Sequence, residues 1–138
     1  MNQPSPQQVE RIFQALARGD YHQFLTNCSE DLVVATRGLD PDVAAFDKTS
    51  LSRWFATNPS TLGTSVEVTV EIVRVVDSTA IVLLRFSWEY LADMIGFELV
   101  NICSFTGGLM SKWSSYPLDL LEYAHFLATA RRAALQPA

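Results

Sequence analysis

Few side chains in this sequence are equipped for chemistry near neutral pH. His22 and His125 are its two histidines, and an unperturbed imidazole is the one side chain that changes charge between about pH 5 and 8. Each falls in a helical stretch, where a surface or interface histidine is the ordinary outcome. Cys28 and Cys103 have neither metal-ligand spacing nor a CxxC partner, so they read as reduced, buried thiols. A cysteine nucleophile would need a histidine beside it. Tyr116 offers a hydroxyl that can give up a proton or donate a hydrogen bond, and Asp31 is an acid at the entrance to a strand. Asp40 and Asp42 flank Pro41 in a loop, which turn chemistry explains without a catalytic role. No Ser-His-Asp, HExxH, phosphate-loop or dinucleotide-binding pattern occurs. Without a convergent carboxylate motif, neither a metal nor a cofactor is expected.

The elements that must position these groups are well punctuated. Ser5 is a natural N-cap with Pro6 behind it and Gln8 in capping-box position. Val9, Ile12, Phe13, Leu16 and Ala17 then recur at helical spacing, and Gly19 ends the helix. Asp20 caps a short second helix that buries Tyr21, Phe24 and Leu25. Residues 31–37 (DLVVATR) form a β-rich run. Asp47 caps a third helix with Leu51, Trp54 and Phe55 on its buried face, and Phe46 and Leu51 stand as a staple around the cap.

From Ser65 the period changes to two. Val66, Val68, Val70 and Ile72 alternate with polar residues, and Asp77-Ser78 turns into a long strand from Thr79 to about Leu91. A further strand runs from Ile95 to Thr106, and Gly107-Gly108 turns into one from Met110 to Tyr116. Pro117 opens a last helix with Leu120, Leu121, Ala124, Leu127 and Ala128 on one stripe. Helices followed by long antiparallel strands imply an α+β domain. In it a curved antiparallel sheet is wrapped by N-terminal helices into a cone, with an extra C-terminal helix. The hollow of such a cone is where a ligand would lie.

The whole chain sets outer bounds. Its 138 residues suit one domain spanning residues 1–138. A formal charge of −5 and a pI near 4.8 argue against nucleic acid as a partner, because phosphate binding needs clustered cations. The one basic pair, Arg131-Arg132, suits the end of the last helix. Arg74, Asp77, Arg85 and Glu89 break the most apolar stretches, so no membrane span is read. The start of the chain has no basic residue and no apolar run, and a cytoplasmic setting is expected.

Several features taken in order resemble the SnoaL-like and ketosteroid-isomerase branch of the nuclear-transport-factor-two-like superfamily. They are Gly19-Asp20 after the first helix, Glu30-Asp31 before the first strand, Ser87-Trp88-Glu89-Tyr90, and Gly108 followed by Trp113 and Tyr116. The resemblance covers most of the chain. Isomerase chemistry in that branch needs a carboxylate base, a tyrosine and a protonated acid as hydrogen-bond donors to an enolate oxygen. Carried over by local spacing, the tyrosine position holds Ile12, the base position holds Thr36 and the acid position holds Asn101. Threonine is no base near neutral pH and isoleucine donates nothing. Asn101 can still donate through its amide. Steroid-type isomerisation by that triad is not expected.

The same registration turns Leu84, Phe86, Trp88 and Tyr90 into the hollow, with Phe97, Leu99, Asn101 and Cys103 beside them and Trp113 and Ser115 on the last strand. Ile12, Thr36 and Trp54 complete the lining. Arg85, Ser87 and Glu89 then face outward with Glu98, Val100 and Ile102, on a surface through which relatives often form homodimers. Asn101 is either a ligand contact or an amide bonded within the protein, and the aromatic side chains are either a ligand wall or core. Relatives with dehydratase or cyclase activity place acids near Asp31. The reading is a cofactor-independent enzyme of the cyclase, isomerase or dehydratase type acting on a small apolar molecule, with Asn101, Tyr116 and Asp31 as its candidate catalytic residues. The alternatives are a non-catalytic carrier of such a molecule, or a dimerisation module.

Overall fold

Helix α1 (Pro6–Ala17) begins as its cap predicts, with Ser5 Oγ accepting from Gln8 N at 3.1 Å. The Gln8 side chain reaches across to Gly108 O at 3.4 Å, so the reciprocal half of the capping box is replaced by a contact to the sheet. Gly19 leaves the helix with φ +78, a backbone state that suits glycine. Asp20 Oδ1 accepts from Gln23 N at 3.2 Å and starts α2 (Tyr21–Thr26). Asp47 Oδ1 accepts from Ser50 N at 2.8 Å at the start of α3 (Lys48–Thr57). That hydrogen bond holds the Asp47 carboxyl below the ordinary carboxylate range.

This computed structural model describes residues 3–36, 46–57 and 66–135. Their strands are β1 (Cys28–Thr36), β2 (Phe46–Asp47), β3 (Val66–Val76), β4 (Thr79–Tyr90), β5 (Asp93–Thr106) and β6 (Leu109–Pro117). A last helix, α4, spans Leu120–Leu135. The strands make one sheet in the order β2-β1-β6-β5-β4-β3. The run β3 to β6 is an antiparallel meander, but β1 lies parallel to β6, so the sheet is mixed. Strand β1 also starts three residues ahead of its predicted start, which puts Glu30 and Asp31 inside it.

Alternation divides the sheet as its period predicts. On β4, Ala80, Val82, Leu84 and Trp88 are buried, while Ile81, Arg85 and Glu89 are exposed. Opposite them on β5, Ile95, Phe97, Asn101, Cys103 and Phe105 are buried. Helix α1 packs on β3, α3 on β1 and α4 on β5. The inner side chains form two clusters. One gathers Phe13, Phe24, Leu84, Cys103 and Trp113; the other gathers Trp88, Ile95, Phe97 and Phe126. Phe86 and Leu99 pack against both. At this junction the Phe86 and Phe97 rings stack 4.6 Å apart. The neighbouring Gly96 lies so close to β4 that an added Cβ would sit 2.4 Å from Phe86 O.

The face that α4 buries differs from the predicted stripe. Phe126 and Thr129 are buried and Tyr123 is half-buried, whereas Leu120 is 47 % and Leu121 82 % exposed. Asp119 sets the phase: its Oδ1 accepts from Leu121 N at 2.9 Å and Glu122 N at 3.1 Å. The sheet then offers the rings of Phe97 and Trp88, and these take Tyr123 and Phe126 in edge-on or tilted contacts. Aromatic area decides the docking over the leucines. No helix among the described residues is long and apolar enough to cross a membrane.

Candidate functional site

Asn101 is fully buried at the centre of the inner face, directly opposite Val82 on β4 and Ser115 on β6. Its Nδ2 donates to Val82 O and to Leu99 O, each at 3.2 Å. Its Oδ1 accepts from Trp113 Nε1 at 2.7 Å and from Ser115 Oγ at 2.9 Å. An asparagine side chain has two N–H groups and two carbonyl lone pairs, and all four are engaged by protein groups. A ligand oxygen could take an amide hydrogen only by displacing one of these partners. The arrangement therefore fixes the Trp113 ring and locks β4, β5 and β6 in register.

Around this centre the side chains are apolar. Trp113 meets Phe13 edge-on at 6.0 Å and Phe24 at 5.1 Å, and Ile12 is buried in the same cluster. Cys103 lies opposite Trp113. Burial pushes its thiol well up from the ordinary range, and the neighbouring Cys28 adds to the effect. Burial pushes Cys28 up to about 12 against an opposing pull from Lys48, whose Nζ donates to Cys28 O at 3.0 Å and Glu30 Oε1 at 3.1 Å. Both thiols are thus held protonated at neutral pH and are poor nucleophiles.

The structure brings together Asn101, Leu99, Cys103, Trp113, Ser115 and Ile12, with Phe86, Trp88 and Tyr90 continuing along β4 toward α4. Two of the candidate catalytic residues, Tyr116 and Asp31, lie away from this centre. Tyr116 is 37 % exposed on the outer face, because strand alternation gives the inner position to Ser115. Asp31 is exposed beside buried Leu32 and accepts a hydrogen bond from the Ser29 hydroxyl. His22 and His125 are exposed on α2 and α4. Thr36 lies in β1 and Trp54 in α3, but their side chains, like the Asp40-Pro41-Asp42 loop, lie outside the described residues.

Tyr123 and Phe126 belong to the candidate site, although the stripe predicted for the last helix omits them. Their signal was the three-residue aromatic spacing on the last helix, masked by the more numerous leucines and alanines. An open depression of about 210 Å³ lies elsewhere, lined by Pro6, Gln7, Glu10, Val70, Glu71 and Val73 between α1 and β3. Among the described residues no group of three or more His, Cys, Asp or Glu could hold a metal ion.

No family model and no curated protein matches this sequence. Solved structures do match its shape. Bal32a, from a soil-derived mobile gene cassette, aligns over 86 % of this chain and 92 % of its own, with a TM-score of 0.73 and 17 % identity. An LEH-like epoxide hydrolase of M. tuberculosis aligns over 94 % of this chain and 93 % of its own, with a TM-score of 0.68 and 15 % identity. An NTF2-like protein from Anabaena variabilis aligns over 86 % and 95 %, with a TM-score of 0.66 and 16 % identity. At these identities the likeness defines a fold. The chain has the nuclear-transport-factor-two-like fold, an α+β arrangement of a mixed sheet with helices packed on it.

Proposed function

We propose that the protein binds a small apolar molecule against the aromatic cluster beneath α4, to which the described inner face contributes tyrosine hydroxyls but no carboxylate or histidine. The make-up of that face carries this reading: aromatic and aliphatic side chains surround one amide, Asn101, whose hydrogen bonds are all engaged. Small-molecule sites are mostly apolar with few polar groups. Entry would come by displacing α4, which packs mainly on β5 and buries Phe126 there. Exposing one such ring costs about 2–3 kcal/mol, which a ligand of similar apolar area offsets on binding. The test is titration with the apolar fluorophore anilinonaphthalene sulfonate. Saturable binding at one site is expected, weakened about tenfold by Trp88→Ala. Diffuse, non-saturable binding unaffected by that substitution would reject the reading.

A cofactor-independent enzyme of the cyclase, isomerase or dehydratase type is the second reading. Its support is the likeness to an epoxide hydrolase. With Tyr116 and Asp31 exposed, such an enzyme needs its acid or base from another residue, and Asn101 to orient an oxygen. Asn101→Ala would then abolish turnover of an identified substrate, whereas in a carrier it only weakens retention. On either reading we assign a homodimer through the outer sheet face, where Ile81, Ile102 and Tyr116 are exposed. Two buried free thiols suit a reducing, cytoplasmic setting.

A further inference from the structure

Strand β3 ends the sheet, and among the described residues it pairs with β4 alone. Such an edge presents a row of unpaired N–H and C=O groups along its length. Charges and bulges usually keep an edge from pairing, and β3 has both. Glu67 and Arg74 are exposed on it, and the register against β4 shifts between Val70 and Ile72, leaving Glu71 as the bulged residue. Their order gives these devices another meaning.

Counted outward from the Val70–Glu71 peptide bond, two of four mirrored pairs are valine with valine and a third sets opposite charges. Thr69 mirrors Ile72, Val68 mirrors Val73, Glu67 mirrors Arg74 and Val66 mirrors Val75. The bulge also exchanges the faces. Before it Val66 and Val68 are half-buried and Glu67 and Thr69 exposed; after it Val73 and Val75 are half-buried and Ile72 and Arg74 exposed. Each of these four pairs therefore joins residues of one face, while Val70 is half-buried and the bulged Glu71 exposed. Without the bulge every pair would join opposite faces. The charges are available as well. Glu71 is paired with Arg85 at 3.0 Å, while neither Glu67 nor Arg74 stands in an ion pair among the described residues.

We propose that β3 pairs antiparallel with β3 of a second copy of this chain, about a two-fold axis through the Val70–Glu71 bond. Glu67 then faces the partner's Arg74 on the outer surface, twice per dimer by symmetry. Opposite charges directly across an antiparallel pair are stabilising, and like charges destabilising. On the inner side Val66 and Val68 meet the partner's Val75 and Val73. This contact is distinct from the outer-face homodimer and does not depend on the ligand reading.

Sedimentation velocity across a concentration series tests it, with thermal unfolding as a check that each variant folds. In an Ile102→Glu background, which disables the outer face, the chain still dimerises; there Arg74→Glu lowers the affinity about tenfold or more by setting like charges across the axis, and adding Glu67→Arg restores it. Mixing Thr69→Cys with Ile72→Cys protein under oxidant gives a mixed disulfide dimer, because those positions face each other. An Ile102→Glu chain that stays monomeric at high concentration overturns the proposal. So does a dimer that survives Arg74→Glu and is lost on Ile102→Glu, which would assign all association to the outer face.

Discussion

The indole of Trp113 donates to Asn101 Oδ1 at 2.7 Å, and Ser115 Oγ donates to the same oxygen at 2.9 Å. The one amide at the heart of an apolar face is thereby an anchor for two neighbours on β6. Asn101→Ala should cost about 2–4 kcal/mol in urea unfolding, since it opens a cavity and strips a buried indole and hydroxyl of their acceptor. Ser115→Ala should cost only about 1 kcal/mol, because Trp113 keeps its partner. Equal losses would mean that the network does not centre on Asn101.

Gly96 is required by closeness rather than by a turn. A methyl group there would meet Phe86 O at 2.4 Å, and that atom is backbone. Gly96→Ala should lower stability by about 1–3 kcal/mol. It should also disturb the Phe86–Phe97 stack, read as a change in near-ultraviolet circular dichroism.

The β4–β5 turn runs the other way. Leu91 and Ala92 adopt φ values of 51 and 71, in the left-handed region that two-residue hairpins fill with Asn-Gly. Leu91 is also 78 % exposed, so its side chain has little packing to lose. Replacing Leu91-Ala92 by Asn-Gly should raise stability by about 1 kcal/mol. A lower melting temperature would mean that the exposed leucine packs on something in solution.

Alkaline pH should weaken the fold through its thiols. The folded pKa of Cys28 is raised from 9.0 to about 12 by burial, and that of Cys103 is raised further. The folded state thus keeps protons that the unfolded chain releases above pH 9.0. The contribution is complete below that value and declines as pH rises toward the folded values. Other groups titrate in the same window, so the difference between wild type and Cys28→Ala is the quantity to follow. The wild type should lose stability more steeply between about pH 9 and 11.

The faces of the sheet were legible because a few charged residues on β4, chiefly Arg85 and Glu89, mark the outward positions between apolar ones. Leu84, Trp88 and Phe97 point inward while Arg85 and Glu89 point outward. Asn101 was legible as the lone amide among apolar neighbours. Its partners were not, because they depend on the β5–β6 register, which no local pattern encodes. The parallel β1–β6 pairing is likewise a product of how distant segments close the sheet. The buried face of α4 was misread for an energetic reason. Leucines and alanines at helical spacing outnumber Tyr123 and Phe126, yet the rings of Trp88 and Phe97 make the better dock. Tyr116 was assigned by its hydroxyl, and one step of alternation puts it outside.

On this account the fold holds a small apolar molecule beneath α4. Native mass spectrometry of the purified protein after exposure to an extract of its own host tests that most directly, with Trp88→Ala run in parallel. A discrete added mass, lost on denaturation and reduced or absent in the variant, is the predicted result. Bare protein in every spectrum, or an adduct that Trp88→Ala leaves untouched, would contradict it.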